Sequence, residues 1–414
     1  MLLSHHYHSP WSLQAKVILK AAILFFGSFI LFMFSSSLLE PFLAWVGQDI
    51  LQLDGDFTAV STGSGDRTMN YITLFLQVVL TVIGVLLWSY LDRKRPSYNQ
   101  LQYWFTVILR IFVAFFMLAY GMAKVYKLQF PAPSLMRLMQ PIGEMSPMGL
   151  AWTFMGHSEG YNLFTGFMEV LGGLLLIPRR TQTLGAFITM GVMTHVAMMN
   201  FFFDIPVKIF AVHLVLMAGF IFLIDLRRFS NYFIFNKPTS AISYYRPIID
   251  PTYHKIIWWL KVSVLIIYLG FASFQGYHAE RNLRDKRPKP ELYGIWETKV
   301  FVKNNDTLPP LVTDSLRWRY LIRDREGFAV IKTMTADLKW MNFDLDSTST
   351  QLSLYREDYK QDNNFTLIAT DSTMTMEGVL YGDSLYIKLE SLDLKSMRLT
   401  NRGFHWVNEH PYNY

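Results

Sequence analysis

Tyr161–Ile224 reads YNLFTGFMEVLGGLLLIPRRTQTLGAFITMGVMTHVAMMNFFFDIPVKIFAVHLVLMAGFIFLI, and this stretch decides the fold. It divides into three apolar runs, Tyr161–Ile177, Thr183–Phe203 and Pro206–Ile224, joined by very short turns. Runs of this length suit a hydrocarbon core of roughly 30 Å. A chain crossing lipid must satisfy its own backbone, so each run is expected to be a membrane-spanning helix. Each carries one ionisable group: Glu169, His195 and His213. Such groups are costly in a bilayer and tend to face a bundle interior at a functional site.

Their depths agree. Glu169 lies eight residues after Tyr161, His195 eight before Phe203 and His213 seven after Pro206. If those ends share one membrane face, each group sits roughly 10–12 Å below it, at 1.5 Å per residue. Arg110, in the run Leu101–Tyr120, falls at about 15 Å by the same measure. One basic side chain, one acid and two imidazoles are therefore expected in a single layer, with a direct Arg110–Glu169 ion pair as the economical arrangement.

Outward from this centre, four further apolar runs complete a polytopic α-helical membrane protein of about seven spans: Lys16–Phe34, Tyr71–Tyr90, Leu101–Tyr120 and Ile256–Gln275. Glu40–Arg67 reads as a polar stretch with a mobile tip at Ser61–Gly65. Gly121–Gly160 is too apolar for a free loop and reads as a packed or re-entrant segment. The first span reads as an uncleaved helix, and His5, His6 and His8 before it as a solvated terminus. Of the 414 residues, 51% are hydrophobic and 16% aromatic, and the net charge is +6. The cations gather in membrane-flanking loops, which reports orientation and not nucleic-acid binding. With no cysteine there is no disulfide, thiolate metal site or thiol redox pair, and any electron chemistry needs a bound carrier. Lys16, Arg93-Lys94-Arg95, Arg179-Arg180 and Arg227-Arg228 mark the cytoplasmic side. The polar layer is then in the outer half of the membrane, and the C-terminal region is outside.

Pro288 and Pro290 mark a domain boundary, after which short alternating runs replace long ones. Strands are expected at Trp296–Val302, Leu316–Ile322, Phe328–Thr333, Leu338–Leu345, Gln351–Tyr355, Phe365–Ala369, Met374–Leu380, Ser384–Leu389 and Met397–Val407. Tight turns between them, such as Arg325-Glu326-Gly327 and Asp362-Asn363-Asn364, point to an all-β antiparallel barrel of up-and-down type. Gly294-Ile295-Trp296 resembles the opening of lipocalin-like barrels. A barrel of this length has little room, so a side-chain-filled interior is favoured over a ligand cavity. The expected organisation is 1–100, two spans and an extracytoplasmic loop; 101–226, a four-helix module; 227–290, a basic loop, the seventh span and a linker; and 291–414, the barrel.

Residues 101–226 resemble the DoxX family of membrane proteins. The residues that carry the resemblance are Arg110, Gly121-Met122-Ala123-Lys124, Glu169-Val170-Leu171-Gly172-Gly173, Pro178-Arg179-Arg180 and Gly185-Ala186. The family is associated with membrane redox systems, including a subunit of thiosulfate:quinone oxidoreductase. The resemblance implies that Arg110, Lys124 and Glu169 are the module's polar positions. Two histidines on adjacent helices leave three readings open: a quinone headgroup with proton relay, axial haem ligation, or structural hydrogen bonding. Lys124 and Lys127 read first as interfacial anchors, and otherwise as positive charge at a site entrance. The leading expectation is a component of a quinone-linked or oxidative-stress redox system in a cell inner membrane. In it, Glu169, His195, His213 and Arg110 do the chemistry, and His195, His213 and Lys124 hold a quinone. The alternatives are a non-catalytic envelope protein whose barrel binds a lipid or a protein partner, and a small-solute or proton pathway.

Overall fold

A computed structural model describes residues 10–55, 57, 63–239, 245, 250–356 and 363–413. The terminal histidines His5, His6 and His8, the loop residues Ser61 and Thr62, and Asp362 of one expected turn lie outside the described residues. The chain forms two units: Met1–Phe130 with Ser146–Glu280, and Pro131–Met145 with Arg281–Tyr414.

In the first unit a helix covers each of the seven apolar runs. These are α1 (Leu13–Trp45), α2 (Thr68–Leu91), α3 (Asn99–Val125), α5 (Glu159–Leu176), α6 (Gln182–Phe202), α7 (Lys208–Leu223) and α9 (Pro251–Leu283), with shorter helices α4 (Pro147–His157) and α8 (Leu226–Phe233) between them. Helices α1, α2, α3, α6 and α9 are long and apolar enough to cross a membrane, and α7 with α8, bent by 74°, makes a sixth if the pair is one span. Two expected boundaries move. Helix α1 continues through Glu40 and Pro41 to Trp45, so the polar connection starts later than Glu40. Helix α3 runs on past Tyr120 to Val125, which brings Lys124 into the helix.

Helices α3 and α5 pack along their lengths, and α6 packs against both α5 and α7. Small residues permit this closeness. A Cβ on Gly121 would meet the Gly166 carbonyl at 2.8 Å, and one on Gly185 would meet the Leu176 nitrogen at 2.6 Å. Leu109, Met117, Leu176, Leu214 and Met217 are fully buried in the bundle core.

The second unit is an antiparallel barrel. Its strands are β1 (Gly294–Lys303), β2 (Asp306–Thr307), β3 (Trp318–Arg325), β4 (Phe328–Thr333), β5 (Leu338–Leu345), β6 (Gln351–Tyr355), β7 (Asn364–Ala369), β8 (Thr373–Leu380) and β9 (Asp383–Ser391). Each main strand pairs with the next, and β9 returns to β1 from Trp296↔Ser391 to Lys303↔Leu385, closing eight strands, with β2 a short addition to β1. Alternate residues point inward, as a pleat of period two requires. Trp296, Phe343, Leu354, Phe365, Met376 and Ile387 fill the interior. Met397–Val407 is not a strand. Arg398–Asn401 is a helical turn, and among the described residues no further strand follows. Once β9 pairs with β1 the barrel has no open edge for another strand.

Part of the expected packed connection belongs to this unit. Leu135 of Pro131–Met145 is buried against Ile295, Tyr320, Ile322 and Val330 on the outside of β1, β3 and β4. Those strands are thus covered on both faces, which accounts for the near-continuous apolar runs in β3 and β4. Lys332 Nζ donates to the Met139 carbonyl at 3.1 Å, and the Ala132 N–H to the Asp285 carboxylate at 2.9 Å.

Candidate functional site

The close approach of α3 and α5 around Gly121 and Gly166 sets the geometry of the site. One turn beyond Gly121, Lys124 extends along the helix interface and its Nζ meets Glu169 Oε1 at 2.5 Å. Their side chains are 5% and 2% exposed, so the pair is removed from any solvent. Nζ also lies 5.9 Å from the centre of the Phe130 ring. Tyr120 and His195 lie within electrostatic range of Glu169. The second carboxylate oxygen, Oε2, is buried with no hydrogen-bond partner.

A polar roof holds the connection above the pair. Asn162, fully buried, donates from Nδ2 to the Phe130 carbonyl at 3.0 Å and to the Met155 carbonyl at 3.2 Å. Lys127 is also buried and donates to the Gly156 carbonyl at 3.3 Å. Neither ammonium stands at an interface: Lys124 and Lys127 are both buried within the protein.

The other expected members of the layer are elsewhere. The partner of Glu169 is Lys124, not Arg110. Arg110 donates from Nε to the Leu176 carbonyl at 2.8 Å and from Nη2 to the Ile177 carbonyl at 2.5 Å. It thus serves the end of α5, where the last carbonyls lack helical partners and the helix dipole is negative. That end leads to Arg179-Arg180, the opposite direction from the Lys124 end of α3.

His213 does not face His195. It is buried, with Nδ1 donating to the Ile209 carbonyl at 2.8 Å. A carbonyl can only accept, so in the neutral ring Nε2 is the acceptor, taken by the Gln77 amide at 2.9 Å. Phe29 and Phe25 stack on the imidazole at 3.9 and 5.1 Å. The same Gln77 amide donates to the Phe25 carbonyl at 2.8 Å, so one side chain of α2 ties α1 to α7. His195 is exposed on α6. Axial haem ligation by this pair loses its geometric basis, because both ring nitrogens of His213 are engaged.

The single four-group layer is thus replaced by three polar nodes: Lys124–Glu169, Gln77–His213 and Arg110 at the end of α5. Gln77 went unremarked in the sequence, as did Lys20, whose Nζ bonds Ser89 Oγ at 3.3 Å and lies over the Trp88 and Tyr98 rings. The rule that singled out Glu169, a polar group inside an apolar run, applies equally to both.

No family model matches the chain, and no solved structure matches it. It is 35% identical over 133 residues to the uncharacterized protein YwoB of Bacillus subtilis (strain 168), a match covering 30% of this chain and 79% of that protein. The chain belongs to the YwoB family. Most of YwoB is thus represented here, whereas the greater part of this chain lies outside the shared region.

Proposed function

We propose that this YwoB-family chain is a DoxX-type membrane protein serving a quinone-linked or oxidative-stress redox system, with Lys124–Glu169 as its proton-handling pair. The observation that carries the reading is Glu169, a buried carboxylate with one oxygen on Lys124 and the other, Oε2, unsatisfied. Leaving such a group open costs about 1–3 kcal/mol. A ligand hydroxyl would relieve that cost. An acid with an open oxygen, an ammonium donor and a nearby imidazole fit a headgroup that gains and loses protons. A bound quinone would supply the electron-accepting chemistry. Lys124 would hold an oxygen of the headgroup by a hydrogen bond, and Glu169 would keep or release the proton, with His195 as the next base. Basic loops on the cytoplasmic side of an inner membrane would put Lys124 toward the outer face and the barrel in the periplasm.

A second reading rests on the fate of Arg110 and His213, both committed to helix contacts. It makes the bundle an anchor and the barrel the working part. A partner protein or lipid would then meet the outside of the barrel, because its interior is filled.

Quinone content of lipid extracted from the purified protein, with the visible spectrum of the intact protein, separates the two. The redox reading expects quinone in the wild type and its loss in Glu169→Gln and His195→Ala, with membrane insertion unchanged. Quinone absent from the wild type, or equal in all three proteins, leaves the anchored β domain.

A further inference from the structure

Helix α8 leaves the bundle at a sharp corner, bent by 74° from α7. An axis at that angle to a spanning helix runs nearly parallel to the bilayer surface. Asp225, which is buried, fixes the corner: its Oδ2 accepts from the Thr183 hydroxyl at 2.5 Å and its carbonyl from the Phe229 N–H at 3.0 Å. The 16 residues of α7 rise about 24 Å at 1.5 Å each, against a hydrocarbon core of roughly 30 Å. Helix α8 therefore starts close to the level where acyl chains give way to headgroups.

Its residues divide between two faces. At the helical period Leu226, Phe229 and Phe233 share one side, and Arg227, Arg228 and Asn231 the other. The apolar side carries the bundle core outward as a row of rings. The buried Phe222 of α7 lies 4.9 Å from Phe229, Phe229 lies 4.6 Å from Phe233, and Phe233 lies 4.9 Å from Tyr232, centre to centre. Beyond Phe229 the row is open: Tyr232, Phe233, Ile234 and Phe235 are between 60% and 68% exposed. Four consecutive large apolar side chains are a poor surface for water and mark a contact with a partner or a membrane. Arg227 and Arg228 are exposed and, among the described residues, have no hydrogen-bond or ion-pair partner. Lys237 is exposed at the other end, its Nζ 5.7 Å from the Phe235 ring, and no acid lies between Leu226 and Pro238.

We propose that α8 and its extension to Lys237 dock on an anionic phospholipid surface, with Tyr232, Phe233, Ile234 and Phe235 at the acyl boundary and Arg227, Arg228 and Lys237 on the lipid phosphates. A helix with basic residues on its polar face and aromatic residues on the other is the form that lies in the plane of a membrane interface. Neutral lipid would cover the aromatic row and leave the cations without counter-charge. A soluble anion would do the reverse. The surface is separate from Lys124–Glu169 and stands whether or not that pair handles protons.

The chain has no cysteine, so Phe233→Cys in the full-length protein offers a single attachment point for a polarity-sensitive dye. The labelled protein is placed in symmetric vesicles of phosphatidylcholine, with or without phosphatidylglycerol, and met by a quencher on the acyl chains or by acrylamide in the water. With phosphatidylglycerol present the dye is expected to be quenched from the acyl chains and shielded from acrylamide, whereas a dye on Asn231→Cys stays open to acrylamide. At the phosphatidylglycerol fraction that gives half docking, Arg227→Gln and Arg228→Gln each lower the docked-to-undocked ratio about fivefold, the contribution of one basic residue near an anionic surface. Arg228→Lys keeps the ratio, which shows that the loss is of charge and not of fold. Acrylamide access that phosphatidylglycerol does not change overturns the proposal, as does equal acyl-chain quenching in the two kinds of vesicle. A dye at 233 shielded from both quenchers would mean that protein covers the row, and would overturn the lipid assignment.

Discussion

Lys124 and Glu169, 45 residues apart in the chain, meet at 2.5 Å between α3 and α5. Breaking a buried ion pair by removing one partner strands the other charge, whereas replacing both with apolar residues of similar volume removes the problem. Lys124→Met and Glu169→Gln are each expected to destabilise the protein by about 3–5 kcal/mol. Lys124→Met combined with Glu169→Leu recovers most of that loss. Thermal unfolding of the four proteins in one detergent checks this, and a double variant as unstable as the sum of the singles contradicts it.

Gln77 joins three helices through one amide. Gln77→Leu leaves His213 Nε2 and the Phe25 carbonyl without their donor, at a cost of about 1–3 kcal/mol for a buried group left unpaired. The expected result is a lower unfolding temperature together with faster amide exchange, protection being lost first in α1 and α2, read by hydrogen exchange. Protection unchanged in α1 would contradict the bridge.

Gly121 touches backbone as well as side chain. A Cβ there would come within 2.8 Å of the Gly166 carbonyl and 2.9 Å of the Val170 nitrogen. Backbone yields less readily than a flexible side chain, so Gly121→Ala must separate α3 from α5. Overpacking of this kind costs about 1–3 kcal/mol. It also moves Lys124 from Glu169, so combining it with Glu169→Gln is expected to cost less than the sum of the two. Strict additivity in a double-mutant cycle would show the contact and the ion pair to be independent.

Asp346 organises the turn before β6. Its carboxylate accepts hydrogen bonds from the Thr348 hydroxyl and from the Thr350 and Gln351 N–H groups, the latter two at 2.8 Å, which hold its pKa down to about 2. A carboxylate whose folded pKa is depressed contributes stability above its unfolded pKa and loses it as pH falls through the folded value. The stability advantage of wild type over Asp346→Ala is therefore expected to be constant from pH 7 to about 5 and to shrink from about 4 toward 2. Unfolding midpoints of both proteins across that range provide the check.

The helices were legible because uninterrupted apolar runs have few alternatives in lipid, and most strands because their period-two pattern is bounded by turn residues. The failures have local causes. Ending α3 at Tyr120 put Lys124 in the interface, so Glu169 was assigned to Arg110. The two cations lie 14 residues apart on nearly the same helix face, and only the true end of α3 shows which is level with Glu169. Depth along a helix can be counted from sequence, but rotation about its axis depends on its neighbours. His195 and His213 share a depth, yet α7 turns His213 toward Phe25, Phe29 and Gln77. The expected strand Met397–Val407 failed for a reason outside its own residues, since β1 and β9 had already closed the barrel.

The chain passes between its membrane unit and its β unit three times, after Phe130, Met145 and Glu280. A globular domain hung from one tether is shed by a single proteolytic nick. Here a nick anywhere from Arg281 to Pro290 severs the peptide, yet Leu135 remains clasped by β1, β3 and β4. The barrel would stay with the membrane fraction after such a cut and detach only when that clasp is melted or cut as well.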